Sequence, residues 1–308
     1  MSAEASTTFE CFGSRCAVFV IGDADAGSAS EAVEWARAQL LEWHATFTRF
    51  DRHSELARLN ADERHAVPVS QAMARFADLV VKAATITGGL VDATMLREIE
   101  RAGYGADVGR RVDLTAALEE APARRPASPS AAAAWRLLRV DVGESVVFRP
   151  PGLMLDSGGL AKGLFCDILA ETLETHDGFA VDCAGDVRIG GRLRIRRRLQ
   201  VGSPFGDEML HAHETYAGAA ATSGIGRRSW RDTSGRPAHH LLDPSTGRPA
   251  YTGLVQATAF ASTAAFAEVC AKAALLSGPD GAAAWLPYGG VLVHDDGSHE
   301  VVGEVLCG

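Results

Sequence analysis

Residues 155–163 read Leu-Asp-Ser-Gly-Gly-Leu-Ala-Lys-Gly, setting a carboxylate, two adjacent glycines and a lysine directly before a helical stretch. Glycine has no Cβ, so backbone amides can approach a ligand closely; a helix N-terminus favours an anion, and Lys162 adds a point charge suited to a phosphate. The same residues also make a plain strand-to-helix turn with a solvated lysine. They are not a Walker loop, because GxxxxGK[ST] is absent. A second polar cluster joins residues 221–224, Ala-Thr-Ser-Gly, to residues 239–249, His-His-Leu-Leu-Asp-Pro-Ser-Thr-Gly-Arg-Pro. A histidine there can act as a general base near neutral pH, held by the Asp-Pro-x-Thr-Gly turn. Alternatively Asp243 caps the turn and the histidines are packed or exposed. Residues 182–186 (Asp-Cys-Ala-Gly-Asp) and 90–94 (Leu-Val-Asp-Ala-Thr) set further acids in small-residue turns, either facing a cofactor or simply forming the turn. Arg192, Arg194, Arg196, Arg197 and Arg198 mostly alternate with apolar residues, as on the solvent face of an edge strand protected by charge; docking of an acidic partner protein is the alternative.

Groups like these are positioned by strands and helices, and the spacing of apolar residues predicts several. Residues 16–22 are a short β-branched and aromatic run closed by Gly-Asp, the pattern of a buried strand. Ser28 and Ser30 offer N-caps for a long amphipathic helix carrying Val33, Ala36, Leu40, Trp43, Ala45 and Phe47. Ser70 opens another through Thr87, with Met73, Phe76, Ala77, Val80, Val81 and Ala84 on one side and Gly88-Gly89 as its stop. Residues 106–134 are rich in Ala, Pro and Arg and suit an exposed connection between two lobes. Beyond it, strands are expected at 137–142 and 145–148 with a two-residue turn at Gly143-Glu144, then at 179–183, 187–189, 193–201 and 291–294, and helices at 162–173 and 266–277. Strands and helices interleave without a regular βαβ period, so the class is α+β rather than a doubly wound sheet.

The 308 residues suffice for a sizeable core, and 47% hydrophobic against 22% charged residues excludes wholesale disorder. Thirty Lys and Arg against 39 Asp and Glu leave a formal charge of -9, so no overall basic field exists to hold nucleic acid. Cys11, Cys16, Cys166, Cys183, Cys270 and Cys307 form neither a CxxC pair nor a zinc-finger spacing and read as reduced, mostly buried thiols. Residues 1–10 lack the basic and apolar regions of a secretory signal, and residues 249–267 are too broken by Pro, Gly, Thr and Ser to span a bilayer. A cytoplasmic protein without stable membrane insertion is expected.

Taken in chain order, the segments resemble one family, the FAD:protein FMN transferases or ApbE-type flavin transferases, over nearly the whole length. Phe12-Gly13-Ser14 stands where the family has Met-Gly-Thr, followed by Phe47-Thr48-Arg49-Phe50-Asp51, Ser54-Glu55-Leu56 and Arg58-Leu59-Asn60. Val91-Asp92-Ala93-Thr94 is similar to its Phe-Asp-Pro-Thr, and residues 156–163 with Asp167 to its Asp-x-Gly-Gly-x-Ala-Lys-Gly…Asp signature. Ala184-Gly185-Asp186 resembles its Gly-Gly-Asp, Thr222-Ser223-Gly224 its Thr-Ser-Gly, and residues 240–247 its His-x-x-Asp-Pro-x-Thr-Gly.

The resemblance implies an α+β flavin transferase fold, with lobes of roughly 1–105 and 135–308 around a central FAD cleft. It implies cleavage of the FAD pyrophosphate and attachment of FMN, through its phosphate, to a Thr or Ser of an acceptor flavoprotein, with AMP released and Mg²⁺ normally assisting. By the same resemblance Phe12, Phe50, Leu90, Val91, Asp92, Asp156, Lys162 and Leu242 line the FAD site. His240 transfers a proton or contacts phosphate, and Asp243, Thr246 and Gly247 shape its loop. The family's metal positions fall on Gly159, Glu268 and Lys272, and a lysine supplies no oxygen to a cation that prefers six. Either Lys272 pairs with Glu268 and partly replaces the metal, or water and another carboxylate restore a weaker Mg²⁺ site. FAD pyrophosphatase action and FAD binding without turnover are the alternatives to transfer. After Thr-Ser-Gly, relatives commonly carry Asp and an aromatic or acidic residue where this chain has Ile225-Gly226-Arg227-Arg228, which implies a different docking of the acceptor.

Overall fold

The structure, a computed structural model, describes residues 4–25, 27–105 and 112–303. Its frame is an eight-stranded antiparallel sheet whose strands pair in chain order: β1 (Glu4–Cys11), β2 (Ser14–Ile21), β3 (Gly178–Cys183), β4 (Asp186–Gly190), β5 (Gly218–Gly224), β6 (Leu254–Ala261), β7 (Gly290–His294) and β8 (His299–Val302). Side chains alternate across a strand, and the core follows that alternation. Ala219, Ala221, Ala257 and Ala259 face the helices, whereas Ala220, Phe260 and Val291 pack on the other face with Val201 and Leu199.

Four longer helices cover the sheet: α1 (Ala29–Phe47), α2 (Gln71–Ile86), α3 (Ala161–Leu173) and α4 (Ala264–Ser277). Ser28 closes a capping box with Glu31, and Ser70 and Thr263 cap α2 and α4. The helix α3 packs on β3 and β4, and α4 on β5 and β6, so the two lie side by side across the middle of the sheet. Their contact explains one glycine: a Cβ on Gly163 would lie 2.5 Å from the Ala264 carbonyl oxygen. Asp167, one turn later on α3, accepts from the Ala264 and Ala265 amides at 2.9 Å each and pins the start of α4.

The expected helices and six of the seven expected strands form within a residue or two of their predicted ends. Three details differ. The Arg139–Asp141 and Val146–Phe148 strands pair through a four-residue loop, not a two-residue turn, and Ser145, not Gly143, takes the positive φ of 53°. Residues 193–196 are outside the strand Arg197–Gly202, which pairs with Met209–Thr215; three of the arginines pair with acids, Arg192 with Asp177, Arg196 with Glu214 and Arg197 with Glu4. The connection predicted as exposed is partly packed: Leu114–Glu119 is a helix whose Leu114 and Ala117 are buried, and Ala127 and Ala133 are buried too. Two apolar residues at i and i+3 suffice to seat a one-turn helix even in Ala/Pro/Arg-rich chain. Residues 106–111 of that segment, and Cys307, lie outside the described residues. Cys11, Cys16, Cys166, Cys183 and Cys270 are free and buried. Among the described residues no helix is long and apolar enough to cross a membrane.

Candidate functional site

A cleft of about 350 Å³ opens beside the start of α3 and continues into an inner cavity of about 60 Å³; Asp156, Gly158, Ile99 and His240 belong to both. The larger part receives Phe12, Phe50, Asp156, Lys162 and His240, and the inner part Leu90, Val91, Asp92, Gly159, Leu242 and Lys272. Glu268 lies behind the wall. Of the residues expected to line the FAD site, move the proton or hold the metal, all but Glu268 line these two cavities, with Phe50 at the rim, 53% exposed.

Each is positioned by a local device. Phe12-Gly13 is the two-residue turn between β1 and β2, with φ of 53° and 70°, the pair of left-handed residues that a tight hairpin needs. A phenylalanine in that conformation costs on the order of 1–3 kcal/mol. It is held there: its amide donates to His44 Nδ1 at 2.8 Å, its carbonyl accepts from Arg228 at 3.3 Å, and its ring stacks on Phe165 at 5.5 Å. Asn60 clamps the backbone of Leu155, donating to its carbonyl at 2.9 Å and accepting from its amide at 2.7 Å. The next residue, Asp156, donates its amide to the Ala93 carbonyl at 2.9 Å, which ties the two parts of the wall together. Asp92 accepts from the amide and hydroxyl of Thr94 at 2.8 and 2.6 Å, and burial raises its pKa against those bonds. Asp243 accepts from the amides of Ser128 and Ser245 and from the Ser245 hydroxyl at 2.7–3.1 Å, while its own carbonyl accepts from Thr246 and Gly247. The Asp-Pro-x-Thr-Gly turn is thus built from Asp243, and it carries Leu242 and His240.

His240 sets its Nδ1 3.4 Å from the Arg228 carbonyl. A carbonyl only accepts, so this contact keeps the proton on Nδ1 and leaves the Nε2 lone pair free. Burial, then the charges of Arg228 and Lys272, hold the imidazole well below its ordinary pKa, so it is neutral at pH 7. Its neighbour His239 is buried edge-on to Tyr251, and burial pushes its pKa down to about 3.

The inner end is a cluster of fixed charge. The Lys162 ammonium bonds Asp186 and lies 3.7 Å from Glu268 Oε1; Lys272 Nζ lies 3.4 Å from the same oxygen, and Glu268 Oε2 accepts from the Gly163 amide at 3.0 Å. Burial alone would lower the Lys162 pKa, but Asp186 and Glu268 outweigh it and the net shift is upward. For Asp186 burial dominates and raises the pKa, with Lys162 opposing.

Sequence reasoning did not place Arg49, Tyr104 or Arg228 at the FAD site, and it left Asp186 open between facing a cofactor and forming a turn. Arg49 lies 4.4 Å from the Phe50 ring centre and 4.5 Å from that of Tyr104, donates to the Tyr104 carbonyl at 2.6 Å and sits 3.7 Å from Asp156. Tyr104 stacks on Trp230 at 4.9 Å. Arg49 and Asp186 stood inside segments already singled out. Arg228 stood in a segment read only for acceptor docking, and Tyr104 carried no local signal, since only the fold brings it to the cleft.

The residues at the family's metal positions do not fit a magnesium ion. That ion takes about six oxygens at about 2.0–2.1 Å, whereas here one position is an ammonium and both oxygens of Glu268 already face N–H donors. One oxygen, Asp186 Oδ1, is buried without a hydrogen-bond partner among the described residues, and one is too few. No group of three or more His, Cys, Asp or Glu that could hold a metal occurs among the described residues.

Comparison with known proteins agrees with this architecture. The chain is 26% identical over 251 residues to the FAD:protein FMN transferase of Vibrio cholerae, covering 78% of this chain and 72% of that one. It is 27% identical over 259 residues to that of Salmonella typhimurium, covering 80% and 71%. In fold it is similar to the ApbE protein of Thermotoga maritima, with a TM-score of 0.79 at 23% identity over 97% of both chains. The flavin transferase ApbE of Vibrio cholerae gives 0.72 at 18% identity over 99% of both. The α+β fold is the one these flavin transferases share. The model of the ApbE family matches residues 12–292, and the chain belongs to that family.

Proposed function

We propose that this chain transfers the FMN part of FAD, through its phosphate, to a Thr or Ser hydroxyl of an acceptor flavoprotein and releases AMP. The observation that carries this reading is the meeting of a neutral His240, with Asp156 and Lys162 in the larger cavity and Lys272 in the inner one. Phosphoryl transfer needs fixed cations on the phosphate oxygens, a base for the incoming hydroxyl and walls that hold both ends of the donor. On this reading His240 Nε2 takes the hydroxyl proton, Lys162 holds phosphate charge, and Phe12, Phe50, Leu90, Val91 and Leu242 give the rings apolar surface. Asp92 and Asp156 accept from donor groups of FAD. Residues 1–308 act as one flavin transferase unit with two lobes around the cleft, and the acceptor is met on the cytoplasmic side.

The test is incubation with FAD and a threonine-containing acceptor domain, read by AMP quantification and in-gel flavin fluorescence. One AMP per labelled acceptor is expected, and His240→Gln should lower the rate by about 10²–10⁴-fold while FAD still binds. AMP without label would mean a pyrophosphatase. Bound FAD with no AMP would mean a flavin-binding protein.

A further inference from the structure

Lys272 is the cation that lines the inner cavity, and it has few obligations. It sits one turn beyond Glu268 on α4, 8% exposed, and its stem passes beside Gly159, where an added Cβ would lie 3.6 Å from Lys272 Cε. Lys272 lines the inner cavity together with Asp92, Asp156 and His240. Among the described residues it makes a single hydrogen bond, the 3.4 Å contact to Glu268 Oε1, an oxygen that Lys162 also approaches at 3.7 Å. Lys162, by contrast, is bonded to Asp186. An ammonium has three donors, so two of those on Lys272 have no acceptor among the described residues. Burying such a charge is costly unless an anion answers it.

The four charged groups sum to zero before any ligand arrives: Lys162 and Lys272 against Asp186 and Glu268. An arriving diphosphate finds Lys272 with donors to spare and Arg228, which lines the adjoining cleft and has no carboxylate within ion-pair distance among the described residues. A divalent ion at the same place would meet an ammonium already there. We propose that Lys272 is a built-in replacement for the metal, so that FAD binding and FMN transfer in this chain proceed without a divalent cation.

This rests on the transferase reading for the transfer step alone. In that step the acceptor oxygen bonds to the FMN-side phosphorus, and the bond from that phosphorus to the bridging oxygen breaks. AMP leaves with the bridging oxygen and its electron pair, and the hydroxyl proton passes to His240. Lys272 stays protonated and faces the charge that grows on the leaving oxygen; nothing is oxidised or reduced.

The test uses the full chain stripped of metal with EDTA. FAD affinity is read by flavin fluorescence, Mn²⁺ binding by loss of the free-ion EPR signal with FAD present, and AMP release with and without Mg²⁺. Wild type should bind FAD equally in EDTA and in Mg²⁺, leave the Mn²⁺ signal unchanged and release AMP at the same rate in both buffers. Lys272→Met should weaken FAD binding about tenfold and slow AMP release by about 10²–10³-fold, as loss of one preorganised donor does. Lys272→Asp should take up Mn²⁺ and become Mg²⁺-dependent. Stoichiometric Mn²⁺ binding by wild type, a tenfold gain in rate or affinity with Mg²⁺, or unchanged FAD affinity in a folded Lys272→Met would each overturn the proposal; the wild-type readouts need no variant to fold. Absence of AMP from wild type in every buffer would sink the transferase reading alone, and Lys272 would then be judged on FAD affinity and Mn²⁺ binding.

Discussion

At the outer end of the cleft Arg49 rests between the rings of Phe50 and Tyr104 and donates to a neutral carbonyl, with Asp156 at 3.7 Å. At the inner end Lys162 and Lys272 face the carboxylates of Asp186 and Glu268, whose side chains are 1% and 2% exposed. Outside, a ring can be removed without stranding a charge. Inside, removing Lys162 leaves Asp186 without its bonded cation, and removing either carboxylate leaves a buried ammonium short of counter-charge. The outer end is therefore free to be shaped for binding, whereas the inner end couples substrate chemistry to folding.

The largest effect should come from breaking that coupling. Lys162→Met leaves Asp186 without its bonded cation and Glu268 with Lys272 alone, and a broken buried pair costs about 3–5 kcal/mol. Urea denaturation should show a loss of that size. A loss under about 1 kcal/mol would mean that the inner carboxylates reach solvent or take up protons freely, and the contrast between the two ends would fall.

Burial without a charged partner gives a second, smaller test. His239 has a pKa near 3 when folded against 6.5 when free, so between those values the unfolded chain binds a proton that the folded chain does not. Its stabilising contribution is complete above pH 6.5 and is lost as pH falls towards 3. At pH 5 the loss is about 2 kcal/mol, from about 1.36 kcal/mol per pH unit. His239→Phe keeps a ring against Tyr251 and should remove that part of the acid limb. Equal pH profiles for both proteins from pH 7 to 5 would show that the imidazole is not kept neutral by burial.

The two ends were not equally legible in the sequence. Lys162, Asp156, Gly159 and His240 stand in compact segments whose residue types announce a turn and a charge, and the structure gathers them. Even Gly163 was legible only as part of a motif: its physical reason, the carbonyl of Ala264 at 2.5 Å from a would-be Cβ, lies 101 residues further along the chain. The middle strands β5 and β6 were missed because Gly-Ala-Ala-Ala-Thr-Ser-Gly and Leu-Val-Gln-Ala-Thr-Ala-Phe-Ala lack strong strand formers or a clean alternation. Small residues there are set by the helices α3 and α4 packed above, which is tertiary information. Tyr104 was invisible for the same reason, and Arg228 was legible only as part of a departure from the family pattern.

The smallest effect sharpens the outer end. Phe50 is 53% exposed, meets Tyr104 edge-on at 5.8 Å and covers one side of the Arg49 guanidinium. Phe50→Leu should change stability by no more than about 0.5 kcal/mol, as a largely exposed substitution does. If its face completes the cleft, the loss appears in binding: an aromatic pair is worth about 0.5–1.5 kcal/mol beyond area, or about two- to tenfold in Kd. Titration with FAD, FMN and AMP separately then says which ring it covers. Equal weakening for FAD and FMN with AMP unchanged assigns Phe50 to the flavin, and weakening for FAD and AMP alone assigns it to the adenine. Unchanged affinity for all three, or a stability loss approaching that of Lys162→Met, would show that the outer end is not a binding surface separable from the fold.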